Sequence, residues 1–201
     1  MQKILVWDWP VRLGHWLMVG GFILAWLTSE SETFRLVHVI SGSVVVAVAL
    51  FRIPWGFIGS RYARFVDFVR GPSSVIDYLH SLLKLQPAHQ TGHNPAGGWA
   101  ILLLLALGIA TGLVGWATYN EIGGEWLEDL HEGLAVTMLT VVIVHVAGVI
   151  SGSLLHGENL IRAMITGYKQ GSLEDAIPSA RPLAAILLLV WVAAAGWWLA
   201  S

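Results

Sequence analysis

The sequence predicts an all-α membrane protein, a four-helix transmembrane bundle with a fifth transmembrane helix at its C-terminal end. Hydrophobic residues make up 56% of the 201 positions and charged residues only 12%, whereas a soluble domain carries about 25% charged residues. The apolar residues are grouped into stretches close to the length of about 20 residues that a helix needs to cross a bilayer. Basic residues are concentrated in alternate connections, which is typical of a multi-pass membrane chain.

The predicted spans lie at residues 12–28, 36–57, 97–117, 131–152 and 183–200. The first span has no small-residue cleavage motif behind it, so we interpret it as a retained helix and not as a removed signal peptide. The long connection 58–96 contains "SRYARFVDFVRGP" and "SSVIDYLHSLLK", which predict two amphipathic helices at the membrane surface. The stretch "QPAHQTGHNPAGG" then interrupts helical structure. We divide the chain into residues 1–171, which form the bundle with the interfacial segment 58–96, and residues 172–201, a linker and the last helix.

The basic residues set the orientation, because lysine and arginine are retained on the cytoplasmic side. Every one except Arg35 falls before or at the start of the first helix, near the end of the second helix or between the second and third, or between the fourth and fifth. The second outer loop contains Glu121, Glu125, Glu128 and Asp129 and no basic residue. We therefore expect the bacterial inner membrane as the location, with the N-terminus in the cytoplasm.

Cysteine is absent, which excludes disulfides, covalent haem attachment through CxxCH and cysteine-bound iron–sulfur clusters in this chain. The sequence also contains no glycine-rich phosphate loop and no nucleic-acid-binding motif. A metal must then be held by histidine, methionine or oxygen ligands.

Four histidines lie inside the predicted spans, at two depths. His15 and His145 fall near the inner face, whereas His38 and His131 fall near the outer face. His131 and His145 are fourteen positions apart in one helix, so their side chains share a face about 21 Å apart along its axis. Because histidine inside a bilayer is costly, two pairs matched in depth indicate ligands of two cofactors stacked across the membrane.

Haem suits these pairs better than zinc or a di-iron centre, because both alternatives need more ligands than two histidines. Axial ligation by two imidazoles is ordinary for haem iron. Glycines in the spans suit a large flat group between helices, although helix packing explains them equally well; they are Gly20, Gly21, Gly42, Gly133 and Gly148. Two haems stacked in this way would form an electron path through the membrane.

The chain resembles the bacterial di-haem b-type cytochromes, namely the cytochrome b561 type and the b-type cytochrome subunit of nickel-iron hydrogenases. The resemblance extends through most of residues 7–171. It rests on "RLGHW" at 12–16, "HVISG" at 38–42, "FRIPWGFIGSRYARFVDFVRGP" at 51–72, "GHNPAGG" at 92–98, "HE" at 131–132, "HVAGV" at 145–149 and "HGENLIRAMITGYKQG" at 156–171.

The resemblance implies two haem b groups, with His15 and His145 on the inner iron and His38 and His131 on the outer iron. It also implies electron transfer between a periplasmic redox partner and membrane quinone, with the quinone beside the inner haem. The other implied residues are His93 and Asn94 for hydrogen bonds to a quinone, His156 and Glu158 for proton delivery, and Arg12, Arg35 and Arg52 for the haem propionates. For each of these, a capping, connecting or membrane-interface role remains open.

Alternatives remain for the periplasmic redox partner and for the functional class of the protein. Only 23 residues separate His15 from His38, and this short connection together with the acidic second outer loop favours a small c-type cytochrome over a hydrogenase as the partner. A stand-alone quinone-linked oxidoreductase such as a superoxide oxidase is the alternative function, and the acidic outer surface disfavours it. A metal-dependent membrane hydrolase or transporter is a third reading, for which the sequence offers neither HExxH nor a GxSG turn.

Overall fold

The computed structural model describes residues 2–86 and 90–200, with the side chains of residues 199 and 200 excluded. Over these residues the chain forms eight α-helices and two short β-strands. In chain order they are β1 (Gln2–Leu5), α1 (Trp9–Thr28), α2 (Arg35–Ile58), α3 (Phe65–Phe68), α4 (Pro72–Leu83), α5 (Pro95–Tyr119), α6 (Trp126–His156), α7 (Leu160–Thr166), β2 (Tyr168–Gly171) and α8 (Pro182–Ala200). His89 falls outside the described residues.

Four helices are long and apolar enough to cross a membrane, which confirms the predicted bundle; they are α1, α2 with the 3₁₀ turn before it, α5 and α6. The chain is a multi-pass membrane protein. The fifth predicted helix is present as α8, although its apolar stretch Pro182–Trp198 is shorter than the other four. Helix α6 is 31 residues long, because helical structure continues beyond the predicted apolar stretch at both ends.

The bundle is built from two helix pairs, α1 with α2 and α5 with α6, which meet where α2 packs against α5. Val45, Leu107 and Met138 form a buried cluster at this junction. Helix α8 packs outside the bundle against α2 and α1. There Leu188 is fully buried beside Val48, so the C-terminal helix is joined to the bundle by packing.

Side-chain caps set where two of the spanning helices begin. Asp8 Oδ1 accepts a hydrogen bond of 2.9 Å from the Val11 amide at the start of α1. Asn94 Oδ1 accepts one of 2.7 Å from the Gly97 amide at the start of α5. Proline follows the cap near the start of each helix, where its missing N–H costs nothing.

A two-stranded antiparallel sheet joins the N-terminus to the segment after α7, and the sequence did not predict it. Gln2 pairs with Gly171 and Leu5 with Tyr168. Each strand has four residues, which is too short for a pattern of alternating hydrophobicity to be distinctive. The sheet lies at the end of the bundle that carries most of the lysine and arginine side chains, called here the basic end; the opposite end is called the acidic end.

The connection between α2 and α5 differs from the prediction in its first half only. Residues 60–72 form a 3₁₀ turn and the four-residue helix α3, in place of one amphipathic helix. Arg64 and Val69 have extended backbone angles on either side of α3, because Phe65 and Phe68 turn inward onto Arg52. The second predicted helix is present as α4, with Tyr78 as its buried residue.

Candidate functional site

His38 of α2 and His131 of α6 face one another at the acidic end. Their ring centroids are 6.0 Å apart and the rings are inclined by 73°. His38 Nδ1 lies 2.8 Å from the carbonyl oxygen of Ala25, and His131 Nδ1 lies 3.0 Å from that of Thr111. Because a carbonyl oxygen can only accept, each Nδ1 carries the proton and each Nε2 keeps its lone pair for a metal.

The spacing of these rings fits a single metal held from opposite sides. A metal–nitrogen bond of about 2 Å on each side, plus the distance from nitrogen to ring centre, separates two such rings by about 6 Å. Among the residues that the structure describes, no three histidine, cysteine or acidic side chains gather as a metal cluster. Two imidazoles at this spacing suit haem iron, which accepts two axial histidine ligands.

Helix α5 holds His131 in place, a role that no pattern in the sequence indicates. A Cβ at Gly115 would lie 2.7 Å from His131 Cε1. Thr111, one turn earlier on α5, supplies the carbonyl oxygen for His131 Nδ1. Glycine is thus required at position 115 for α5 to approach the imidazole, whereas the sequence shows only one of several glycines in an apolar helix.

His15 of α1 and His145 of α6 lie at the basic end, near enough for their charges to interact. His15 Nδ1 is buried and has no hydrogen-bond partner among the described residues. A buried polar nitrogen without a partner is costly, so this atom indicates a group that the protein atoms alone do not supply. The structure thus places the four histidines in the two predicted pairs, one at each end.

Open space accompanies both pairs. A Cβ added at Gly42, one turn after His38, would meet no atom within 4 Å, and the same holds at Gly148, three residues after His145. Gly20 and Gly133 are equally open, whereas Gly21 packs closely against Ser41 and Val45. Four of the five glycines therefore leave room beside the helices, which fits a large planar group, and Gly21 serves helix packing.

Two buried arginines lie at the basic end and form no salt bridge among the described residues, although the charge of Asp8 is near enough to interact with Arg52. Arg12 Nη2 donates to the carbonyl oxygen of Ile165, and Arg52 Nη2 donates to that of Ala63 at 2.7 Å. The Nε of Arg12 and the Nη1 of Arg52 are buried and unpartnered among the described residues. Because a buried charge requires a counter-charge, both side chains are suited to an anionic group.

Arg35, the third arginine that the resemblance links to haem propionates, lies at the acidic end. Its guanidinium group is 5.1 Å from the ring centre of Tyr119, so it begins α2 with a cation–π contact to the end of α5. The structure thus assigns one exposed arginine to the acidic end and two buried arginines to the basic end.

His93 lies between two aromatic rings at the basic end. Its ring centroid is 4.5 Å from that of Trp7 and 4.7 Å from that of Phe68. The pKa of His93 is lowered to about 3, mainly by burial and also by the charges of Arg52 and Lys169. Nδ1 is buried with no partner among the described residues. His93 is therefore a neutral imidazole, held in place, with an unused nitrogen.

The other residues predicted for quinone binding and proton delivery are Asn94, His156 and Glu158, and two of them make hydrogen bonds or ion pairs within the protein. Asn94 uses its side-chain oxygen to cap α5. Glu158 Oε2 lies 3.0 Å from Lys169 Nζ, and Glu158 Oε1 accepts a hydrogen bond of 3.2 Å from the Gln170 amide. His156 is the last residue of α6. Lys169, which is 5% exposed, also donates to the carbonyl oxygen of Gln90. The Glu158–Lys169 ion pair therefore connects three segments of the chain at the basic end.

Comparison of the sequence with known proteins identifies the family to which the chain is similar. Residues 6–167 match the family model described as prokaryotic cytochrome b561. The chain is 26% identical over 214 residues to a probable Ni/Fe-hydrogenase B-type cytochrome subunit of Rhizobium leguminosarum bv. viciae, covering 84% of this chain and 89% of the relative. It is 27% identical over 212 residues to the probable Ni/Fe-hydrogenase 1 B-type cytochrome subunit of Escherichia coli K12, covering 82% and 89%. No solved structure matches the chain significantly.

Proposed function

Because the chain belongs to the prokaryotic cytochrome b561 family, and is thus a membrane protein of b-haem electron transfer, we propose that it connects a periplasmic redox partner to membrane quinone through two haems. The observation that carries this proposal is the pairing of four histidines at two ends of one bundle. The His38–His131 pair has the spacing and the protonation that bis-histidine ligation requires.

His38 and His131 would hold the haem at the acidic end, and His15 and His145 the one at the basic end. Haem supplies reversible one-electron chemistry of iron when bound. The carbonyl oxygens of Ala25 and Thr111 orient the acidic-end imidazoles and make them more basic ligands. Arg12 and Arg52 would pair with propionates at the basic end, and Arg35 would do so at the acidic end.

The quinone site belongs beside His93 in this proposal. A neutral imidazole can donate its N–H to a quinone carbonyl, and Trp7 and Phe68 fix the ring in position. His93 also lies near enough to His15 and His145 for their charges to interact with it. The side-chain oxygen of Asn94 is used in capping, so only its amide nitrogen remains for a quinone. His156 and Glu158 stay predicted proton carriers.

We place the basic end in the cytoplasm of a bacterial cell, which makes the acidic end periplasmic. The loop before α6 and the first turn of α6 carry Glu121, Glu125, Glu128 and Asp129 at that end. This charge suits a basic surface on a small c-type cytochrome. The relatives named above are hydrogenase subunits, and a hydrogenase is the other candidate partner, which a short connection between α1 and α2 disfavours.

A reduced-minus-oxidised absorption spectrum with pyridine haemochrome quantitation, made on the full chain in detergent, tests the proposal. We expect two b haems per chain, and reoxidation of the reduced haems by a short-chain quinone. One haem or none per chain, after haem supply during expression has been verified, would contradict the two-haem assignment. Two haems that quinone fails to reoxidise would instead contradict the quinone site alone.

A further inference from the structure

A polar cavity of about 560 Å³ opens at the basic end, between α3, α4 and the segment that precedes α5. Its charged lining residues are Arg61, Asp67, Arg70, Asp77 and Asp175. Tyr62, Tyr78 and His93 supply the other titratable groups. A polar cavity of this size takes up water, and His93 connects it to the region of His15 and His145.

The carboxylates of this cavity are not equivalent. Asp67 lies 2.7 Å from Arg64 Nε, and Asp175 lies 3.4 Å from Arg61 Nη1. Asp77 of α4 is exposed and makes no ion pair among the described residues. A carboxylate that no arginine holds is free to exchange hydrogen bonds with the water of the cavity.

The same cavity is lined by Tyr62 and Thr91, which supply hydrogen-bonding side chains between the exposed Asp77 and the buried His93. Tyr62 donates to the carbonyl oxygen of Asp175 at 2.8 Å and shares a side-chain hydrogen bond with Thr91. Burial raises the pKa of Tyr62, so its hydroxyl stays protonated. Trp7 packs against both Tyr62 and His93. Asp77, Tyr62, Thr91 and His93 are therefore polar groups of one cavity wall.

We propose that this cavity is the proton-uptake path of the quinone site, with Asp77 as the entry carboxylate and His93 as the last protein group before the quinone. The inference rests on the proposed function. Reduction of quinone to quinol takes two electrons, delivered through the haems, and two protons, one forming an O–H bond at each carbonyl oxygen. Asp77 takes each proton from bulk water and returns it to the water of the cavity.

Glu158, one of the two residues that the resemblance implies for proton delivery, is less suited to this task. Both of its carboxylate oxygens are bonded, one to Lys169 and one to the Gln170 amide. Glu158 and Lys169 are thus assigned to the structure of the basic end.

The test uses the full haem-loaded chain in lipid nanodiscs, reduced with stoichiometric dithionite and mixed with decylubiquinone while haem absorbance is followed. We expect Asp77→Asn to slow haem reoxidation at pH 8 by about tenfold, and less at pH 6, because proton supply becomes limiting. Added formate, a small proton carrier, should restore most of the rate, and the KM for decylubiquinone should stay unchanged. Asp77→Glu should match the wild type.

The matched control is Glu174→Gln, which neutralises an exposed carboxylate at the same end outside the cavity lining. It should leave the rate unchanged. An Asp77→Asn rate equal to the wild type, or a slow rate that formate does not restore, would overturn the proposal, as would a larger loss in Glu158→Gln. If wild-type haems are not reoxidised by quinone, the proposed quinone site fails, and the inference fails with it before any variant is made.

Discussion

The imidazole of His38 lies 6.0 Å from that of His131, measured between ring centroids, and each ring is oriented by a backbone carbonyl of another helix. The pair joins α2 to α6, which are far apart in sequence. Four helices contribute to its geometry, because Ala25 belongs to α1 and Thr111 to α5.

Loss of one ligand should remove one haem. We expect His38→Ala to retain one haem per chain and His15→Ala to retain the other, measured by pyridine haemochrome on purified protein. The matched control is His80→Ala, an exposed histidine of α4, which should retain both. Retention of two haems in either variant would assign the ligand elsewhere.

Gly115→Ala should disturb the acidic-end haem without changing a ligand. Its Cβ would lie 2.7 Å from His131 Cε1, so the imidazole must move. We expect partial loss of one haem or a shifted reduction potential, measured by redox titration in the visible spectrum. Gly196→Ala on α8, outside the bundle, where a Cβ meets no atom within 4 Å, should behave as the wild type. Equal behaviour of the two variants would contradict the role of Gly115.

Neutralising the acidic residues of the second outer loop and α6 should slow docking of a basic partner. The variant combines Glu121→Gln, Glu125→Gln, Glu128→Gln and Asp129→Asn. With a basic c-type cytochrome as probe, we expect the association rate at low ionic strength to fall by about tenfold, and the difference to shrink as salt is added. A rate that is unchanged at low salt would exclude this loop as the docking surface.

Removing Lys169 should destabilise the basic end. Lys169→Met leaves Glu158, whose side chain is 15% exposed, without its cation. Breaking such a buried pair costs about 3 kcal/mol. The midpoint of denaturation in SDS should therefore fall, and Glu158→Gln in the same chain should recover part of the loss. Lys3→Met, an exposed cation–π contact, should change little.

Because the pKa of His93 is lowered to about 3, we expect the folded protein to lose stability in acid. Between pH 6.5 and 3 the unfolded chain binds a proton at this residue and the folded chain does not, so folding becomes less favourable as the pH falls. The contribution is at most about 1.4 kcal/mol per pH unit. His93→Gln should therefore lose stability less steeply than the wild type when unfolding is followed from pH 6.5 to 4.5. Parallel curves would contradict this.

The sequence by itself determined the helices, because a bilayer requires long apolar stretches and the arginines and lysines mark one side. It also predicted the pairing of His15 with His145 and of His38 with His131, because depth in the membrane follows from position along a helix. These predictions needed only local composition and spacing.

Only the tertiary structure decided which partners surround these residues. Pairing of β1 with β2, the approach of Gly115 to His131, and the bonds of Glu158 with Lys169 and Gln170 all join residues distant in sequence. Such contacts depend on how helices and loops pack, and no local pattern encodes them. For the same reason the sequence did not predict that Asn94 caps a helix and that Glu158 forms an ion pair. Nor did it single out Asp77, whose place in the lining of a cavity depends on the packing of several segments.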